Sequence, residues 1–293
     1  QSSCIAFTQG MAITMQERVS CSMPTPFGGE VFGAIPAKKL FDVLAGYKCE
    51  EVRISQTNGT SPLQLVVQPA DVKKEAARID MEAEIEMPVY LLPSHASWRP
   101  LDGGFGDAVK LVSSCGKGKN VGDKKFMEEV HLGEKWVEAI DGVQCARWPL
   151  KLGLDCTCKT EDLAGVAWLG VKEVAENERW ISFRSPTGLI YSCRKEDSSE
   201  YPDLSPIFDV AGVRVVLPKG LVDSAKLGEV FSKRDDTHND LLFSFSEGWL
   251  TISGFGPQGE YTKQVEVEYT GPDTEFYMNA GRFVELADRH SEC

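Results

Sequence analysis

Residues 31–47, VFGAIPAKKLFDVLAGY, decide the fold, because their template returns twice further along the chain. A short apolar strand runs into Pro36. The helix that follows places Ala37, Leu40, Phe41 and Leu44 at the i, i+3, i+4, i+7 spacing of a half-buried helix. Proline suits its first turn and Gly46 its end, and Lys38, Lys39 and Asp42 fall on the outer face. Residues 276–290, FYMNAGRFVELADRH, repeat the pattern with Ala280, Phe283, Val284 and Ala287 inside and Arg282 and Glu285 outside. Residues 158–168, CKTEDLAGVAW, repeat it with Thr160, Leu163, Ala164 and Ala167. The equivalent positions 40, 163 and 283 are separated by 123 and 120 residues, the period of a whole domain and not of a solenoid repeat.

What precedes each helix also matches. Residues 4–15 (CIAFTQGMAITM), 129–141 (EVHLGEKWVEAID) and 241–253 (LLFSFSEGWLTIS) each read as two strands joined by a tight polar turn. A third strand, YTKQVEVEY at 261–269, follows the last of them. After the first two helices come further strand pairs, at 49–57 with 63–68 and at 179–185 with 188–194. A second helix precedes two of the hairpins. Residues 105–115 place Phe105, Ala108, Val109 and Val112 on one face, and residues 221–231 do so with Leu227, Val230 and Phe231. The expected unit is helix, strands, helix, strands, with the first and last units incomplete. The domains are expected at 1–96, 97–207 and 208–293, with joins near 93–100 and 206–213.

Composition narrows the function. The chain has 293 residues, 42% hydrophobic and 26% charged, enough for more than one core. No apolar run reaches the roughly 18 residues that cross a bilayer, and the first residues lack the charge and hydropathy pattern of a signal peptide. A cytoplasmic protein with no membrane partner is expected. The nine cysteines include no CxxC pair and read as reduced core thiols. Cys156 and Cys158 share a strand face, but nothing nearby completes a tetrahedral zinc site. No metal and no cofactor are expected.

A net charge of −13 argues against a protein coated by nucleic acid, though it permits a small basic surface on an acidic body. His95, His131, His238 and His290 stand in unrelated contexts, without a metal or nucleophile motif. The GKGKN at 116–120 lacks phosphate-loop spacing. No catalytic residue is assigned, and the chain is not expected to be an enzyme.

This α+β pattern, with IPAKKLFDVL at 35–44 and AIDGVQCARWPL at 139–150, resembles the DNA sliding clamp family of bacteria and phages, the beta subunit of DNA polymerase III. Asp141 and Gly142 match the family's Ala-Thr-Asp-Gly-His-Arg-Leu motif, where Val143, Gln144 and Cys145 replace the last three residues. SSEYPDL at 198–204 is similar to the stretch ending the family's middle domain, and VEYTGPDTEFYMNAGRFVEL at 267–286 is similar to its third domain.

The resemblance implies a processivity factor in DNA replication. Two chains would close head to tail into a homodimer ring around duplex DNA, sheets outside and helices lining the hole. A DNA polymerase and a clamp loader would bind through short peptide motifs. It also implies a DNA-facing set of scattered cations, Lys38, Lys39, Lys110, Lys117, Lys119, Lys124, Lys125, Lys226, Lys233, Arg234 and Arg282. The middle helix departs from this, with Glu161 and Asp162 where the first has lysines. The partner-peptide pocket it implies consists of Met127, Ile140, Val143, Cys145, Pro202, Pro206 and Ile207. The alternative is a clamp-like protein-binding scaffold that does not encircle DNA.

Overall fold

A computed structural model describes residues 4–57, 62–72, 75–83, 92–93, 97–116, 124–232, 239–288 and 290. The chain divides into two compact units, residues 1–202 and 203–293. It is a mixed α and β fold built on antiparallel sheets.

In the first unit the leading repeat runs β1 (Cys4–Thr8), β2 (Met11–Met15), β3 (Val19–Pro24), β4 (Gly33–Pro36), α1 (Ala37–Gly46), β5 (Val52–Gln56), β6 (Gln64–Pro69) and β7 (Ala77–Asp80). The next repeat opens with β8 (Arg99–Pro100) and α2 (Phe105–Val112), then β9 (Glu129–Leu132), β10 (Trp136–Ile140), β11 (Cys145–Pro149) and β12 (Cys156–Lys159). It closes with α3 (Thr160–Leu163), β13 (Glu173–Glu176), β14 (Trp180–Arg184) and β15 (Ile190–Arg194). The longest sheet joins the two repeats in the order β4-β1-β2-β3-β15-β14-β13-β8, with β3 paired to β15. Two smaller sheets, β11-β10-β9-β12 and β5-β6-β7, complete the unit.

Each repeat has its own core. Phe7, Ile35, Leu40, Leu65 and Val67 anchor the first, and Phe105, Val109, Leu132, Leu163 and Phe183 the second. Phe105 stacks on Phe183 with ring centroids 5.1 Å apart.

The second unit contains α4 (Ser205–Phe208), α5 (Leu221–Ser232), β16 (Asp240–Ser246), β17 (Trp249–Gly256), β18 (Gly259–Glu266), β19 (Thr274–Asn279) and α6 (Ala280–Ala287). Its sheet runs β18-β17-β16-β19 over a core of Leu241, Phe243, Leu250, Ile252 and Phe283. The β1–β2 and β16–β17 hairpins use the same turn. Gln9 and Gly10 have φ of 50° and 75°, and Glu247 and Gly248 have 50° and 82°. Positive φ at both central residues gives the turn a twist that matches the strands, and glycine adopts it without strain.

Two helices turn a different face inward from the one their spacing predicts. In α1, Phe41 is 70% and Leu44 39% exposed, and Leu40, Val43 and Tyr47 carry the contact instead. The Tyr47 hydroxyl fixes this orientation by donating to the Val67 carbonyl (3.1 Å) and accepting from the Ala77 N–H (2.9 Å). In α5, Leu227 and Val230 are exposed, and Ser224, Ala225, Gly228 and Ser232 are buried with Leu221. The reason is backbone proximity. A Cβ on Gly254 of β17 would lie 2.2 Å from the Gly228 carbonyl oxygen, so only small residues allow the helix to sit this close to the strand.

The third template helix is short. α3 ends at Leu163 and continues as a 3-10 turn over Ala164–Trp168, leaving Ala164 and Ala167 half-buried. The thiols divide evenly: Cys115, Cys156, Cys158 and Cys193 are buried, whereas Cys4, Cys21, Cys49 and Cys145 are only half-buried, and Cys293 lies outside the described residues.

Candidate nucleic-acid interface and partner pocket

The candidate DNA-facing cations sit on or beside the helices. Lys38 and Lys39 are exposed on α1, Lys110 on α2 and Lys226 on α5, with Lys124 and Lys125 exposed just before β9. Arg282 is half-exposed on α6. Lys117, Lys119, Lys233 and Arg234 lie outside the described residues. Some of these cations have nearby partners. Lys38 Nζ lies 2.8 Å from Asp42, one turn on, and Arg282 lies 3.6 Å from Glu285. Such exposed pairs contribute little energy, so a phosphate can compete for either cation.

The carboxylates of the middle helix have separate roles. Glu161 is exposed, but Asp162 is buried and accepts from Arg18 Nε at 2.8 Å, while Arg18 Nη2 donates to Glu196 at 2.5 Å. Arg18 lies between β2 and β3 of one repeat, and Asp162 and Glu196 belong to the next. Asp162 is therefore a structural ligand, and α3 presents one exposed carboxylate, Glu161, where its template suggests two. Burial pushes the Asp162 acid up, against the pull of Arg18. An open cleft of about 550 Å³ beside this cluster is lined by Thr14, Gln16, Val19, Cys21, Glu161, Asp162 and Tyr191.

Four of the pocket residues come together in the first unit. Ile140 and Cys145 face each other across β10 and β11, and Val143 stands 76% exposed in the turn between them. The Asp141 carboxylate holds this turn, accepting from the N–H groups of Val143 (3.0 Å) and Gln144 (2.9 Å). Gly142 has a φ of +85°, and a Cβ there would lie 2.9 Å from the Met127 methyl, so the turn rests on Met127. Asp141 and Gly142 thus have mechanical roles, one as a cap and the other as the residue that admits Met127. Pro202 is half-buried at the end of this unit, whereas Pro206 and Ile207 are exposed on α4 of the second unit.

Two side-chain groups escaped the reading of the sequence. His131 bridges Glu138 (3.0 Å) and Asp155 (3.2 Å), and its ring lies 4.7 Å from that of Tyr201. Burial lowers the His131 pKa, but the two carboxylate hydrogen bonds outweigh it and the net shift is upward. These partners are 7, 24 and 70 residues away in sequence, so no local pattern could signal them. The second group is Trp168, 74% exposed with Lys110 Nζ 5.0 Å from its ring centroid. An indole at the end of an amphipathic template, beside an outward-facing lysine of the neighbouring helix, was the available signal. Among the described residues no group of three His, Cys, Asp or Glu side chains is placed to hold a metal ion. No described helix is long and apolar enough to cross a membrane.

No protein-family profile and no curated protein sequence matches the chain. Solved structures do. The DNA polymerase III beta subunit of Pseudomonas aeruginosa aligns over 99% of this chain and 84% of its own, at a TM-score of 0.78 and 13% identity. That of Thermotoga maritima aligns over 99% and 82%, at a TM-score of 0.79 and 16% identity. A putative DNA polymerase III beta subunit from Eubacterium rectale aligns over 99% and 83%, at 0.77 and 13%. The fold of this chain is that of the sliding clamps.

Proposed function

We propose that this chain is a DNA sliding clamp, a non-enzymatic processivity factor that encircles duplex DNA and tethers a replicative polymerase in the cytoplasm. The observation that carries the reading is the alignment of 99% of the chain on beta-subunit structures. In this reading the chain holds three domains, 1–96, 97–207 and 208–293, and two chains close head to tail. The edge of β18 supports such a contact. It runs eight residues, pairs only with β17 among the described residues, and lies beside α5, whose Leu227 and Val230 are exposed. An open strand edge with apolar neighbours suits pairing with a second chain.

The DNA-facing cations of the reading are those above, including Lys117, Lys119, Lys233 and Arg234. Their sparse placement suits a slider. Each neutralised phosphate adds about −0.9 to the salt slope of duplex binding, so a protein held by many phosphates would be pinned. The partner pocket of this reading is the set Met127, Ile140, Val143, Cys145, Pro202, Pro206 and Ile207. It takes a short apolar peptide motif of a polymerase or a loader.

A scaffold that binds partners without enclosing DNA is the second reading, favoured by the net charge of −13 and by the carboxylates beside Lys38 and Arg282. Loading onto nicked circular DNA, followed by linearisation at high salt, separates the two. A clamp stays on the circle and runs off the linear form. Equal dissociation rates from both would leave only the scaffold. For the pocket, Ile140→Asp is expected to abolish binding of a partner peptide with circular dichroism unchanged, and unchanged affinity would remove the site.

A further inference from the structure

We propose that Trp168 and Lys110 form a stacking platform for an unpaired nucleic-acid base, so that this chain binds single-stranded DNA through a ring face that its duplex contacts do not use. The inference rests on the DNA-clamp reading only for the identity of the polymer; the platform itself is read from the geometry. Trp168 is 74% exposed and carries a cation beside its ring, unlike, among the described residues, Phe41 and Tyr277 at 70%. Its support is stiff. The turn that carries it packs backbone to backbone against α2, where a Cβ on Gly106 would lie 3.1 Å from the Ala167 carbonyl oxygen. Lys110 Nζ sits 5.0 Å from the indole centroid and steadies the ring while keeping its charge at the surface.

The chemistry of this pair selects its ligand. Bases inside a duplex are stacked on one another and present only edges and phosphates, whereas an unpaired base offers a free π-face. Single-strand binders combine aromatic faces, on which bases stack, with cations along the backbone, and here one indole would take a base while the Lys110 ammonium lies near its phosphate. Asp107, exposed one turn before Lys110, keeps the patch close to neutral. Phosphate attraction alone would therefore be weak there, and the ring face carries the recognition. With one lysine engaged, the salt slope for single strands is about −0.7. Such binding is sequence-tolerant and places the chain where duplex meets exposed template.

The test compares a short oligothymidylate with a random-sequence duplex of equal phosphate number, titrated against the whole chain by anisotropy at several salt concentrations. Trp168→Ala is expected to weaken oligothymidylate binding roughly tenfold or more, and to leave duplex affinity within about twofold. Trp168→Phe, which retains a ring, restores most of the loss. Trp168 is exposed, so neither variant opens a cavity in a core, and far-ultraviolet circular dichroism checks that both fold. The proposal is overturned if the unsubstituted protein does not bind oligothymidylate, if Trp168→Ala has no effect, or if both ligands weaken equally. The clamp reading is tested separately, by retention of the unsubstituted protein on circular duplex. A protein that fails there but shows the selective Trp168 loss keeps the platform and loses the ring.

Discussion

Helices α1 and α6 share one sequence template and end in different environments. In α6, Phe283 is 8% exposed and packs on Phe243 at 4.4 Å, and α5 lies alongside. In α1 the equivalent Leu40 is equally buried, but Phe41, which matches the partly buried Val284, is 70% exposed. The elements packed against α1 are the strands β4, β1 and β7. The difference shows that a 3.6-residue pattern fixes which positions can be buried, while the neighbouring helix decides how many of them are. The sheet side of each helix is satisfied by its own repeat. The lateral side depends on a second element.

The sharpest way to break this comparison is to truncate both aromatics. Phe283→Ala should cost about 3–5 kcal/mol, the range for a buried phenylalanine, whereas Phe41→Ala should stay within about 0.5 kcal/mol. Denaturant titration reads both, and similar losses would mean that α1 is covered in solution. Next in size is Gly254→Ala, which forces a methyl into the Gly228 carbonyl and should destabilise the second unit by about 1–3 kcal/mol. A neutral result would show that α5 can lift off its sheet, erasing the contrast with α1.

Arg18→Ala tests an intermediate case, a helix tied by ion pairs. With Arg18 partly exposed, the expected loss is about 1–2 kcal/mol, and Asp162→Asn made in addition should restore part of it. Full additivity of the two would deny the contact. The smallest effect is a pH dependence. A raised folded pKa for His131 gives stability that is fully present below its unfolded value of about 6.5 and lost as pH rises through the folded value. The stability gap between wild type and His131→Gln should therefore narrow from pH 5 to 8. A gap that widens would reverse the sign of the shift.

Much of the architecture was legible from residue order alone. Gln9-Gly10 and Glu247-Gly248, set between alternating apolar residues, mark hairpins because few residues other than glycine tolerate the second turn position. Pro36 and Gly46 bracket α1 for equally local reasons. The inward face of α5 was hidden, because periodicity gives weight to bulk and the residues buried beneath the helix include Ser224, Ala225 and Gly228, the last of them against Gly254 of β17. The role of Asp162 was hidden as well, since its partner Arg18 is 144 residues away. Of the candidate sites, Ile140, Val143 and Cys145 could be grouped because one hairpin carries them, whereas the joining of Met127 to Gly142 depends on tertiary packing.

The β3–β15 ladder has a mechanical consequence. Val19 through Ser22 pair in register with Cys193 through Ile190, and the Arg194 N–H donates to the Arg18 carbonyl just beyond them. A load applied along these strands is shared as shear among several bonds that must break together, not one after another as in peeling. The first two repeats therefore respond to tension as a single plate without a hinge at their seam. Elastic compliance within this unit must come from bending of the whole sheet or from its connecting loops. Arg18, clamped to Asp162 and Glu196 at the seam's end, acts as the rivet that stops a peel from starting there.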